Sequence, residues 1–139
     1  MTTALPNPLL QNPGAPLLEV RHLVTRFPVR GGILNRVVGH VHAVSGVSFS
    51  VPRGEVLGVV GESGCGKSTL GKTILRLVEP TSGQVLFDGQ DLTTLGHGAM
   101  MPIRRRMQMI FQDPYSSLNP RLTIRRMLRE VVRFHDIVP

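Results

Sequence analysis

Apolar and polar positions alternate, imperfectly, over the front third of the chain. Val20, Leu23, Val24 and Phe27 mark a strand within Leu17–Phe27. Val41, Ala43, Val44, Val47, Phe49 and Val51 mark another over Val41–Val51, closed by Pro52-Arg53-Gly54, because a half-buried strand repeats every two residues. Between them Pro28–Gly39 is rich in Gly and Arg and is expected to be a loop or insert. Ahead of both, Met1–Pro16 has prolines and no periodic apolar face, which predicts a flexible tail.

The pattern then changes. Glu55-Val56-Leu57-Gly58-Val59-Val60 is a nearly unbroken apolar run, the signature of a strand buried on both faces of a parallel sheet. Leu70, Ile74 and Leu77 follow at helical spacing, with Lys72 and Arg76 on another face, and this helix is expected to stop before Pro80. Thr81-Ser82-Gly83 reads as a turn. Val85-Leu86-Phe87 reads as a short strand ended by the hairpin signal Asp88-Gly89. Thr93–Met101 is ambiguous, and Met107–Phe111 predicts a second buried strand. Finally Ile124, Met127, Leu128, Val131 and Val132 form an apolar stripe opposite Arg125, Arg126, Arg129 and Arg133, an amphipathic helix with Thr123 as a candidate N-cap.

The apolar run at 56–60 opens directly into Gly61-Glu62-Ser63-Gly64-Cys65-Gly66-Lys67-Ser68, which matches G-x-x-x-x-G-K-[ST] at every fixed position. Glycines let the backbone approach a ligand, and successive N–H groups can then point inward as an anion nest. The helix that follows adds its positive dipole end. Lys67 is expected to reach the β- and γ-phosphates of ATP, and the Ser68 hydroxyl to ligate Mg²⁺. Cys65 occupies a free position of the motif. It reads as a permitted filler there, and the sharper alternative is that its alkylation blocks nucleotide entry, with MgATP protecting it.

Charge and composition narrow the partners without choosing one. The formal net charge is +7, which favours phosphate-bearing ligands. The Arg runs have no aromatics between them, unlike single-strand nucleic-acid binders, so no nucleic acid is expected. The arginine face of the last helix is expected to be solvated, or to meet a membrane surface or a partner. The five histidines lack metal-ligand spacing. One cysteine excludes an internal disulfide and suits a reducing compartment. The N-terminus lacks a signal-peptide pattern, and no apolar stretch approaches the roughly 20 residues that span a bilayer. A cytoplasmic location follows, with any membrane association made through partners.

Two blocks carry a more specific resemblance. Gly61 to Gly71, reading on through Thr69 and Leu70, and Phe111-Gln112-Asp113-Pro114-Tyr115-Ser116-Ser117-Leu118-Asn119-Pro120-Arg121 closely resemble the ATP-binding subunits of bacterial dipeptide and oligopeptide ABC importers. Val41 to Phe49 and Pro80-Thr81-Ser82-Gly83 agree with them, so the resemblance runs from about Leu17 to the end. It implies an α/β P-loop NTPase fold, the ABC nucleotide-binding domain. Its expected organisation is a tail at 1–16 and a partial domain at 17–139: antiparallel strands and the start of a parallel core at 17–111, then the Q-loop and the start of a helical subdomain at 112–139.

The resemblance also implies roles. Residues 61–69 would hold ATP, Phe27 would stack on adenine, and Gln112 would help ligate Mg²⁺ with Ser68, sense the γ-phosphate beside Lys67 and couple to the membrane subunits. Expected partners are two transmembrane permease subunits, a second ABC ATPase subunit and, indirectly, a peptide-binding protein, on the inner face of the bacterial cell membrane. The chain departs from the family in having no Leu-Ser-Gly-Gly-Gln signature, no apolar strand ending in Asp-Glu and no switch histidine; His135 is in the wrong context. These features imply a truncated chain that binds nucleotide and hardly hydrolyses it, with exposed apolar edges that favour aggregation. A different ABC ATPase, exporting or non-transporting, or a non-catalytic P-loop module is the alternative.

Overall fold

The computed structural model describes residues 15–32, 35–113 and 118–134. The tail before residue 15, Pro114–Ser117 of the second block, and His135 lie outside the described residues. The chain divides into two compact units between Leu95 and Gly96.

The first unit is built on a four-stranded antiparallel sheet. β1 spans Leu18–Gly31 and β2 spans Arg36–Val51. After a helix come β3, Ser82–Phe87, and the two-residue β4, Gln90–Asp91, giving the order β2-β1-β3-β4. β1 and β2 are both longer than their alternation suggested. Most of the Gly- and Arg-rich segment 28–39 is strand rather than loop or insert: Pro28 to Gly31 pairs with the start of β2, from His40 back to Arg36. Proline is tolerated in such a two-stranded ribbon, so composition alone misplaced the turn.

A bulge sets which residues enter the core. His22 takes a φ of 46° and its N–H donates to Ser48 Oγ at 2.8 Å. The register shifts on both sides of Leu23. The pleat is thereby reset, so that Val20, Leu23 and Thr25 are all buried despite the odd spacing between the first two. Val20 faces Val85 across the β1–β3 ladder, and Val44, Leu70, Phe87 and Leu92 complete the apolar interior of this unit.

β3 begins at Ser82, so Thr81-Ser82-Gly83 is strand entry rather than a free turn. Gly83 has a φ of 92°, and a Cβ there would collide with the carbonyl oxygens of Arg21 and His22. The expected hairpin follows: Asp88 and Gly89 both take positive φ, and Phe87 pairs with Gln90. Arg53, just past β2, forms an ion pair with the nearly buried Asp88 carboxylate, tying two turns together.

In the second unit α2 spans His97–Arg104, with Met100 and Ile103 buried and Pro102 inside the helix. α3 spans Ile124–Phe134 and buries none of its residues. The Arg126 N–H donates to Thr123 Oγ1 at 3.3 Å, the N-cap contact expected from the sequence.

Two expectations fail in the same way. Neither 56–60 nor 107–111 is a strand. Val56 is 97% exposed, Val60 93% and Ile110 95%. A strand needs a neighbour about 4.8 Å away to take its N–H and C=O groups, and among the described residues no ladder includes either segment. Apolar sequence supplies the tendency to be buried, but not the neighbour.

Candidate functional site

The loop 61–66 leads into α1, Lys67–Ile74. Gly66, the N-cap residue, has a φ of 98°, and a Cβ there would run into the carbonyl oxygen of Ala43 on β2. Only glycine combines that conformation with that approach, so the loop lies against β2 at Ala43. No side chain caps α1 and its first turn holds no acid. Its first N–H groups and positive dipole end are thus left for an external anion.

Lys67 closes the loop. Its ammonium donates to the Gly61 carbonyl at 2.7 Å, to the Glu62 carbonyl at 2.6 Å and to Cys65 Sγ at 3.4 Å. The Cys65 N–H donates to Glu62 O at 3.3 Å. The one cation of the motif is therefore aimed across the loop it belongs to. Glu62, Ser63, Gly64 and Cys65 are exposed around it, Ser68 is exposed at the helix start, and Thr69 is partly buried behind.

Two anchors fix α1. Thr73 is fully buried and donates to the Thr69 carbonyl at 2.8 Å, while its oxygen lies 3.1 Å from Thr25 Oγ1 on β1. With the Thr73 proton committed, the Thr25 hydroxyl donates to Thr73, latching helix to sheet. At the other end Arg76 takes a φ of 51°, and the N–H groups of Arg76 and Leu77 return to Thr73 O at 3.0 Å and Lys72 O at 2.9 Å. That is a Schellman ending with arginine where glycine is usual. The left-handed conformation costs about 1–2 kcal/mol. It is offset by the guanidinium, which donates to Leu92 O at 2.6 Å, Leu95 O at 2.7 Å and the Glu79 carboxylate at 2.7 Å, because hydrogen bonds from a charged group contribute about 1.5–3 kcal/mol. The helix therefore ends earlier than the stripe through Leu77 suggested, and Leu77 is half-exposed.

A cleft of about 380 Å³ borders the loop, lined by His42, Ala43, Val59, Cys65, Gly66 and Lys67 among others. Phe27 is not in its lining. It sits 40% exposed on β1 opposite Val41 of β2. Val41 precedes Ala43, where the loop meets β2, by two residues, with a register shift between them. Gln112 belongs to the second unit and is exposed there. The contact at Ala43 and the Thr25–Thr73 latch were missed from the sequence. The latch had a signal, because Thr73 lies three residues from Leu70 on the same helical face.

The residues present suit a polyphosphate with its cation: uncapped amides, one ammonium, an adjacent hydroxyl and no carboxylate in the first helical turn. Comparisons with known proteins agree. The family profile for ABC transporters matches residues 44–138. The chain is 54% identical over 126 residues to the glutathione import ATP-binding protein GsiA of Escherichia coli (strain K12), an alignment covering 91% of this chain and 20% of that protein. The chain thus spans about a fifth of the length of this relative. A solved ATP-binding subunit of an ABC transporter is 29% identical with a TM-score of 0.62, over 88% of this chain and 44% of that one. A dimeric ATP-binding cassette bound to ADP and Pi shares the fold at a TM-score of 0.67 and 24% identity, over 85% of this chain and 47% of that one.

Proposed function

Because this chain belongs to the ABC transporter family, we propose that Gly61–Thr69 binds ATP with Mg²⁺ and that the chain is the nucleotide-holding part of an importer ATPase. The observation that carries the reading is the loop itself. An uncapped helix start and a lysine directed across a glycine-rich arc are packed on β2 and latched to β1.

In this reading the amides at the start of α1 bind the phosphate oxygens. Lys67 exchanges its bonds with the Gly61 and Glu62 carbonyls for bonds to the β- and γ-phosphates, which repays the broken contacts because both partners are then charged. Ser68 contributes its hydroxyl to Mg²⁺, Phe27 offers a ring face to adenine, and Gln112 supplies an amide to the cation and senses the γ-phosphate. When bound, MgATP supplies the phosphoryl group whose transfer to water drives the transport cycle. Residues 1–139 position the nucleotide. The remainder of the longer protein, with a second ATPase subunit and two permease subunits on the inner membrane face, completes hydrolysis and coupling. Similarity to a glutathione import protein supports small-peptide import, with glutathione or a di- or oligopeptide as cargo. Among the described residues no helix is long and apolar enough to cross a membrane, so contact with the bilayer is assigned to the permeases.

Isothermal titration of the chain with MgATP tests the core of this reading. A saturable one-to-one isotherm is expected, weakened about a hundredfold or more in Lys67→Ala, the scale for removing a charge from a desolvated ion pair. No binding by folded wild-type chain, or equal binding by the variant, overturns it.

A further inference from the structure

α3 sorts its 11 residues completely by polarity. At about 100° per residue, Ile124, Met127, Leu128, Val131, Val132 and Phe134 fall within one arc of about 160°. Arg125, Arg126, Arg129, Glu130 and Arg133 fill the rest of the circumference. Such an apolar arc ordinarily faces a core, yet α3 buries none of its residues. Ile124 is 74% exposed, Leu128 63% and Val131 55%.

The polar side carries uncompensated charge. Its four arginines and Glu130, with Thr123, line one cavity of about 340 Å³, so the guanidinium groups border a shared space. Among the described residues none of these arginines is in an ion pair. Arg125 and Arg126 stand in the first turn, which holds no acid. The helix dipole disfavours a cation there, and an outside anion offsets that cost. The surroundings do not supply one: residues 96–139 hold eight arginines, against Asp113, Glu130 and Asp136.

An apolar stripe alone suits a protein partner as well as a bilayer. A stripe backed by unpaired arginines suits a surface that is apolar beneath and phosphate-bearing above. We propose that α3 is a membrane-surface anchor that lies flat on anionic lipid. Ile124, Leu128 and Val131 enter the boundary of the acyl chains, and the arginines meet the lipid phosphates. Long arginine stems let the guanidinium reach the phosphate level from a helix seated below it. The anchor is independent of the nucleotide reading and goes beyond it. It concerns the surface alone and leaves the crossing of the bilayer to the permeases. A helix of about 16 Å makes a weak, salt-sensitive contact, suited to holding the chain beside a membrane in concert with other contacts.

Sedimentation of the 139-residue chain with vesicles of phosphatidylcholine, with and without phosphatidylglycerol, tests the anchor. Partition is expected onto the anionic vesicles, with little onto the neutral ones, and should fall as salt is raised. Joint replacement by Arg125→Gln, Arg129→Gln and Arg133→Gln is expected to weaken it about a hundredfold, since each arginine near an anionic surface contributes about fivefold. The corresponding Lys replacements should keep most of the affinity. Leu128→Ser with Val131→Ser is expected to cost about tenfold or more, the scale for two apolar side chains leaving water. Because α3 buries nothing, urea midpoints should stay at the wild-type value in every variant. Equal partition onto both vesicle types overturns the anchor, because exposed valines such as Val56 and Val60 would then account for it. So does unchanged partition in the Gln or the Ser variant. Duplex DNA bound as tightly as the anionic vesicles, with that binding lost in the Gln variant, assigns the arginines to nucleic acid and overturns the lipid. A chain extended to a whole ATP-binding domain must keep the preference for anionic vesicles. Its loss there means that the domain itself covers the stripe, and the anchor fails.

Discussion

Val85–Phe87 and Val56–Val60 are both short and apolar, and they meet opposite fates. Val85 is wholly buried and Phe87 is 5% exposed, whereas Val56 and Val60 are almost fully exposed. Their compositions do not separate them. Their neighbours do: Val85 lies against Val20 in an antiparallel ladder with β1, and 56–60 has no ladder among the described residues. Burial is a property of the pair, set by what the chain brings alongside. Antiparallel partners come from nearby in sequence through turns such as Asp88-Gly89. A parallel partner must arrive by a long crossover.

The largest effect should come from the paired side. Leu23 has no exposed surface and stands where the β1 bulge turns the strand into the core. Leu23→Ala should lower unfolding free energy in urea by about 2–5 kcal/mol, as for other buried leucines. A loss below about 1 kcal/mol would show that the sheet is no better packed than the exposed segments, and the contrast would dissolve.

A smaller effect is expected at the latch between sheet and helix. Thr73→Val leaves the buried Thr25 hydroxyl without its acceptor, at a cost of about 1–3 kcal/mol. Replacing both threonines by valine should recover much of that, since two apolar groups of the same shape leave no buried donor. If the double variant is as unstable as the sum of the single ones, the hydroxyls are not partners and another contact holds α1. MgATP affinity should follow the latch, because α1 presents the loop amides.

How much was legible in the sequence follows the same division. The helix that starts after Gly66, the Asp88-Gly89 hairpin and the α3 helix depend on residues within one or two turns of each other, and all three form as read. The two long strands were underestimated because Gly31 and Gly39 resemble loop residues, while the ribbon they belong to is fixed by pairing across 36–42. The bulge at His22, the Thr25–Thr73 bond and the left-handed Arg76 were invisible for a related reason. Each depends on a contact between residues far apart in sequence, and period counting has no access to it. Phe27 and Gln112 are intermediate: their motif contexts are plain, and both residues are exposed.

The smallest expected effect is the sharpest on the comparison. Val56→Ser removes two methyl groups from a side chain that is 97% exposed, so almost no apolar area returns to water on unfolding. Substitutions of this kind stay within about 0.5 kcal/mol, and the urea midpoint of the 139-residue chain should not move. The same change in a chain extended to the length of a whole ABC ATP-binding domain should cost about 1–3 kcal/mol, the transfer term for a valine once a parallel neighbour covers it. Equal costs in the two chains would mean that 56–60 stays uncovered in both. The apolar run would then serve some purpose other than the parallel sheet its sequence predicts. A cost present only in the longer chain would locate the difference between the two segments in their neighbours and nowhere else.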